Sequence, residues 1–192
     1  MVTIIDYGAG NVFSVQTALR RLGEEVVVSS DPEVVCRAER VIFPGVGQAA
    51  TAMERLREKG LDKILPGLKV PVLGICLGMQ LMCTFSEEGD TTGLGIFPLE
   101  VKQMKNGKKI PHMGWNRIYG LHSDLFRRIR EMEWSYFVHS YYLPCNEYQI
   151  AGCDYGGEFC AAVRKENFWG CQFHPEKSSA MGEMILRNFL MF

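Results

Sequence analysis

Short apolar, β-branched runs alternate with stretches in which apolar residues recur every third or fourth position, and this alternation organises the first half of the chain. The run from Val2 to Asp6 reads as a strand. After a turn over Gly8, Ala9, Gly10 and Asn11, apolar residues return at Val12, Val15, Leu19 and Leu22, the spacing of one helix face with Asn11 as its N-cap. Residues 24–30 ("EEVVVSS") read as a second strand, 31–39 ("DPEVVCRAE") as a short helix with Pro32 at its first position, and 40–45 ("RVIFPG") as a third strand. A helix through Ala49 to Lys59, a strand over 69–75 ("KVPVLGI") and a helix beginning at Leu77 complete the series.

From about residue 94 the pattern changes. The stretch "LEVKQMKNGKKIPHMGW" reads as two strands joined at Asn106-Gly107, a type I′ hairpin signal, with Lys102, Lys105, Lys108 and Lys109 on a solvated tip. Further strands are expected at Tyr136 to Tyr141, Gln149 to Asp154, Phe159 to Arg164 and Phe168 to Phe173, and a last helix over Ser179 to Leu190. Strand and helix in alternation imply right-handed crossovers. The fold class is therefore α/β: a three-layer, mainly parallel twisted sheet with helices on both faces, plus an antiparallel hairpin extension. With 192 residues and no repeat or linker, the chain reads as a single domain, 1–192.

Composition narrows the partners. A net charge of −1, from 21 basic and 22 acidic residues mixed along the chain, leaves no electrostatic footprint for nucleic acid or an anionic membrane. The N-terminus lacks a basic leader and the apolar run Val70 to Met82 is too short to span a bilayer, so a cytoplasmic protein is expected. Seven cysteines, odd in number and never spaced C-x-x-C, argue against a disulfide framework and against a metal site. Most should be reduced and buried, and Met79, Met82 and Met104 should likewise fill the core.

One cysteine stands apart. Gly74-Ile75-Cys76-Leu77-Gly78 is the cysteine form of the G-x-S-x-G nucleophile elbow, a sharp strand-to-helix turn that exposes a strained nucleophile. Unpaired amides at the start of the following helix would stabilise a thiolate, and the Leu77 amide is placed to bind an oxyanion. A cysteine nucleophile needs a base, and the base an orienting group. Of the four histidines, His112, His122 and His139 lack a carboxylate at a useful spacing. His174 lies two residues from Glu176, and in an extended segment these would project to the same side, stiffened by Pro175. A second oxyanion donor is expected from "FPGVGQ" (43–48), where Gly45 and Gly47 expose backbone amides beyond the third strand. Gly8-Ala9-Gly10 lacks the third glycine of a dinucleotide fingerprint, its place taken by Phe13, so no cofactor is expected.

The elbow "GICLGMQ", the loop "PGVG" and "FHPEKS" together resemble the class I, triad-type glutamine amidotransferases, whose fold is flavodoxin-like. "DYGAGN", "PHMGWN", "FVHSYY" and "YGGEF" narrow the resemblance to the glutaminase subunits of imidazole glycerol phosphate synthase, from Thr3 to Phe192. The resemblance implies that Cys76 attacks the side-chain amide of glutamine, that His174 protonates the departing ammonia and later activates water, and that Glu176 orients His174. It assigns oxyanion amides to Leu77 and to Gly45, Val46 and Gly47, and glutamine contacts to His139, Ser140 and Tyr141 and to Gln80 and Glu88 on the elbow helix. It also implies a partner, a (β/α)₈ cyclase subunit forming a heterodimer, with Asn11, Trp115, Asn116 and Lys177 at or near the docking face. A paralogous glutaminase feeding another synthase, such as one of surface-sugar biosynthesis, would keep every catalytic motif. A cysteine peptidase fits Gln80 and His174-x-Glu176 less well. A non-catalytic regulatory subunit would require an unreactive Cys76.

Overall fold

A computed structural model describes residues 1–8, 10–105 and 107–192. The first half alternates as expected: β1 (Val2–Ile5), α1 (Val12–Arg21), β2 (Val26–Ser29), α2 (Pro32–Cys36), β3 (Arg40–Gly45), α3 (Ala49–Glu58), the single turn α4 (Leu61–Ile64), β4 (Val72–Cys76) and α5 (Leu77–Leu81). Local chemistry sets the helix starts. The Asn11 side chain accepts from Ser14 N at 3.4 Å, and Asp31 accepts from Glu33 N at 2.8 Å with Pro32 next to it at the first helical position. Ala9, in the turn before α1, lies outside the described residues.

Beyond α5 come β5 (Cys83–Ser86), β6 (Thr91–Thr92), β7 (Phe97–Gln103), β8 (His112–Tyr119), β9 (Glu133–His139), β10 (Tyr141–Tyr142), β11 (Gln149–Asp154), β12 (Glu158–Lys165), β13 (Phe168–Cys171) and α6 (Ser179–Phe189). One sheet runs β2-β1-β3-β4-β13-β12-β11-β8-β9. It is parallel from β2 to β13 and antiparallel from β13 to β9. Alternate side chains of the parallel half part to opposite faces. Ile4, Ile42, Leu73 and Ile75 pack with Leu19, Ile185 and Phe189 of α1 and α6. Val41, Phe43 and Val72 pack with Met53, Leu56 and Leu61 on the other side. Met79, Met82 and Met104 are buried in these cores, and all seven cysteines are free, five of them buried.

Two expectations need correction. The stretch around Asn106-Gly107 does not make a hairpin, because β7 and β8 belong to different sheets: β7 pairs with β5 and β10 in a small second sheet, and β8 with β9 and β11. Long-range pairing overrides the local turn signal. The Gln103 amide is taken by Glu87 at 2.7 Å and the Met104 amide by the Ser140 carbonyl at 2.9 Å, while β8 pairs with β9 at seven positions. Asn106 itself lies outside the described residues. Nearby, Lys102 is paired with Glu100 at 2.6 Å and Glu87 at 3.6 Å rather than free. The second correction concerns the elbow helix, which ends at Leu81. Residues 83–86 turn back as β5, so Glu88 lies in the connection between β5 and β6 and not on that helix.

Candidate active site

The site is built where β3 and β4 end side by side, with Gly45 opposite Cys76 in register. Cys76 takes φ 53°, a left-handed value that costs a non-glycine residue free energy and throws the side chain out at the strand end. Glycines make the turn possible by letting backbones touch. A Cβ on Gly78 would lie 1.9 Å from the Phe43 carbonyl oxygen, and one on Gly45 would lie 2.5 Å from Gly78 N. The first turn of α5 therefore presses against the end of β3, with Gly45 packed on Leu77 and the Gly78 amide. Tyr7, buried after β1, donates to the Pro44 carbonyl at 3.1 Å and ties the end of β3 to the segment that follows the first strand.

His174 follows β13 and is held from two sides. Its amide donates to the Tyr136 carbonyl on β9 at 2.9 Å, and its carbonyl accepts from the Ser178 hydroxyl at 2.6 Å. The same hydroxyl accepts from Tyr136 N at 2.9 Å. Pro175–Lys177 form a 3-10 turn rather than an extended segment, and this turn brings Glu176 Oε1 to 2.8 Å from His174 Nδ1. Both side chains are 1% exposed. A carboxylate can only accept, so Nδ1 carries the hydrogen and Nε2 is left free for chemistry. Burial disfavours the charged ring, but hydrogen bonding and charge interaction with Cys76 and Glu176 outweigh it and raise the His174 pKa to about 10. Nε2 is buried with no other hydrogen-bond partner among the described residues.

Cys76 opens into a cavity of about 350 Å³ lined by Val46, Gly47, Leu77, Gln80, Glu88, Pro111, Val138, His139, Ser140 and Tyr141, a volume suited to a small ligand. Of these, Pro111 and Val138 are not among the residues expected from the sequence. Gly45 is not in this lining; its backbone packs on Leu77 and Gly78 beside it. Glu88 reaches the wall from its loop, and its carboxylate accepts from Ala49 N at 2.9 Å at the start of α3. Burial raises its pKa, and that hydrogen bond works against the shift. His139 is buried and neutral, its pKa pushed down to about 3, chiefly by burial. The neighbouring His112 is lowered to about 4 for the same reason. Among the described residues no group of three or more histidine, cysteine or acidic side chains is gathered as a metal site.

A second cavity, of about 520 Å³, is lined by Trp115, Glu176 and Lys177 with parts of α1 and α6. Glu176 lines this second cavity and not the one at Cys76. Trp115 is 50% exposed, and the Lys177 ammonium sits 5.9 Å from the Tyr136 ring centre. Asn116, half-buried, borders a separate hollow that also includes Trp115. Asn11 caps α1 and lines neither space. Besides Pro111 and Val138, two more residues at the site were not expected from the sequence. Ser178 locks the histidine loop to β9, and Gln172, fully buried, places Nε2 3.7 Å from Cys76 Sγ. Gln172 had a signal: it stands two residues before His174, a polar side chain directly after an apolar strand.

The sequence matches the family model for class I glutamine amidotransferases over residues 3–191. It is 55% identical to a Bacteroides fragilis protein named imidazole glycerol phosphate synthase subunit HisH, over 98% of both chains. It is 48% identical to the protein of that name from Escherichia coli K12, again over 98% of both. Among solved structures it resembles a glutamine amidotransferase, with a TM-score of 0.77 at 18% identity over 100% of this chain and 98% of that one. It also resembles PurLQS from Thermotoga maritima, with a TM-score of 0.75 at 18% identity over 99% of this chain and 97% of that one. These two likenesses bear on the fold.

Proposed function

The chain belongs to the class I glutamine amidotransferases, and from that premise we infer that it is the glutaminase subunit of an imidazole glycerol phosphate synthase, acting in histidine biosynthesis. The observation that carries the chemistry is the buried 2.8 Å pair of His174 and Glu176, placed behind a strained cysteine at the mouth of a small-ligand cavity.

Glutamine lies with its side-chain amide over Cys76. The sulfur attacks the amide carbon, and the developing oxyanion is met by the amides of Leu77 and the Gly45–Gly47 loop. A raised imidazole pKa favours the protonated ring, which gives its proton to the departing nitrogen as ammonia leaves and a thioester remains. His174, now neutral, takes a proton from water as that water attacks the thioester, and glutamate is released. Glu176 keeps Nδ1 protonated throughout and so keeps Nε2 aimed at the sulfur. Glu88 suits the substrate's ammonium by charge, and Gln80 with His139, Ser140 and Tyr141 forms the wall along it.

Ammonia loses its nucleophilicity when protonated in neutral water, so its release must be coupled to use. The consumer is a cyclase subunit in a cytoplasmic heterodimer, which makes imidazole glycerol phosphate and an aminoimidazole carboxamide ribotide. Its docking face includes Trp115 and Lys177 around the cavity that reaches Glu176. Exposed tryptophan is the side chain most enriched in interface anchors. The test is glutamate release by the purified chain, alone and with the cyclase and its nucleotide ligand. Activity that rises steeply only with both supports the reading, and activity indifferent to this cyclase defeats it. Cys76→Ala should abolish hydrolysis while leaving the complex intact by gel filtration; retained hydrolysis removes Cys76 from its role.

A further inference from the structure

The sulfur of Cys76 has a polar neighbour besides His174. Gln172 Nε2 lies 3.7 Å from Sγ, and the Val138 carbonyl lies 3.7 Å from it on another side. Gln172 is fully buried, so its amide must satisfy both ends within the protein.

Which end faces the sulfur follows from a chain of forced choices. The Tyr141 carbonyl can only accept. It lies 2.9 Å from the Gln80 amide, which must therefore present its NH₂ group, and the same NH₂ is 2.9 Å from the Gln172 side chain. That places Gln172 Oε1 toward Gln80 and leaves its NH₂ for Sγ. A second branch agrees. His139 Nδ1 also meets the Tyr141 carbonyl, at 2.8 Å, and so carries hydrogen. Its Nε2 then accepts from His112 Nδ1 at 3.0 Å, and His112 Nε2 accepts from Asn116 Nδ2 at 3.3 Å. Asn116 Nδ2 donates as well to the Asp154 carbonyl at 2.7 Å, and Asn116 Oδ1 accepts from Arg117 N at 2.8 Å. Each hydrogen bond along both branches joins one donor to one acceptor, with no polarity conflict.

We propose that Gln172 is a positioning residue for the nucleophile, donating a hydrogen bond to Cys76 Sγ from an amide whose direction is set by Gln80 and the Tyr141 carbonyl. The donor faces the sulfur whether it is thiol or thiolate, and it gains strength when the sulfur is charged. Because Gln80 lines the glutamine cavity, substrate contact at Gln80 bears directly on the group that holds the nucleophile. The inference rests on Cys76 being the nucleophile.

The test compares the wild-type complex with Gln172→Met, which keeps shape and loses the donor. Cys76 alkylation by iodoacetamide is followed against pH by peptide mapping, which separates it from the exposed Cys36 and Cys145. The titratable groups in electrical contact with the sulfur or its base, Tyr7, His139, His174 and Glu176, are the same in both proteins. The expected result is about tenfold slower alkylation at pH 7 with the profile displaced to higher pH. The kcat for glutamine hydrolysis should fall by a similar factor with KM little changed. Thermal midpoints should stay within a few degrees. Profiles and kcat that superimpose on wild type would overturn the proposal. Should Gln172→Met not fold, Gln172→Glu keeps the acceptor toward Gln80 and puts a carboxylate against the sulfur; it must slow alkylation further, and unchanged alkylation overturns the proposal equally. A glutamine-mimicking chloroketone on the wild-type complex separates the two failures: if it does not label Cys76, the nucleophile assignment is wrong, and if it labels Cys76 at the same rate in both proteins, only the role of Gln172 is lost.

Discussion

At His174 two forces oppose each other. Burial removes water that would solvate the imidazolium, yet Cys76 and Glu176 restore more than burial takes, and the pKa rises to about 10. Orientation and charge are both tested at the partner. Glu176→Gln keeps the shape and loses the charge, and its amide can also present NH₂ to Nδ1 and favour the wrong tautomer, so hydrolysis should fall about 10⁴-fold, against roughly 10⁶-fold for His174→Ala. Steady-state glutaminase rates in the complex decide this, and the opposite order would reverse the roles. Titration of the buried histidines gives two windows of opposite sign. His174 is raised above the value of about 6.5 expected unfolded, so its contribution to stability is present below that value and is lost as pH climbs through about 10. His112 and His139 are lowered to about 4 and about 3, so between about pH 6.5 and those values the unfolded chain binds protons the folded chain does not. Stability should fall as pH drops through that window. Urea midpoints at pH 7 and 4.5 should therefore differ, and the difference should shrink in His112→Gln. An equal acid loss in the variant would show that His112 does not carry it.

At the scale of elements, the nucleophile depends on a strand end, a five-residue helix and a neighbouring loop meeting backbone to backbone. Gly78 is the contact point. A methyl group there would collide with the Phe43 carbonyl at 1.9 Å, and neither backbone can yield without moving Cys76 or the loop at Gly45. Gly78→Ala should lose about 2–4 kcal/mol in urea unfolding and most glutaminase activity. A variant with wild-type stability would show that the elbow can relax. The short elbow helix also shows how elements compete. "CTFS" follows Met82 with aromatic and β-branched residues, and β7 offers those residues a strand partner, so pairing ends the helix where periodicity alone would have carried it on. The expected pairing of β7 with β8 fails for the same cause: a two-residue signal is worth little beside seven paired positions between β8 and β9.

Across the molecule, the parallel half of the sheet supplies Cys76, while the antiparallel half carries His139 on β9 and Trp115 on β8, one end of the sheet away from the nucleophile strand. The proposed docking face and the cavity therefore share the β8–β9 pair. Trp115→Ala should weaken binding to the cyclase tenfold or more by titration calorimetry, since exposed aromatic anchors carry a large part of interface energy. Binding within twofold of wild type would place the interface elsewhere. No helix among the described residues is long and apolar enough to cross a membrane.

The strand-helix alternation, the elbow at Cys76 and the His174-Glu176 pair were legible in the linear chain. Each depends on residues close together in sequence, whose spacing, caps and glycines act locally. The tertiary structure alone decided that β7 and β8 part into separate sheets, that a 3-10 turn joins His174 to Glu176, and that Glu88 reaches the cavity from a loop. It also decided that Gln172, 96 residues from Cys76, points its amide at the sulfur. Those outcomes rest on pairing and burial between distant segments, where many weak contacts outvote any short pattern and where the direction of a buried amide is fixed only by the carbonyl that folding sets in front of it.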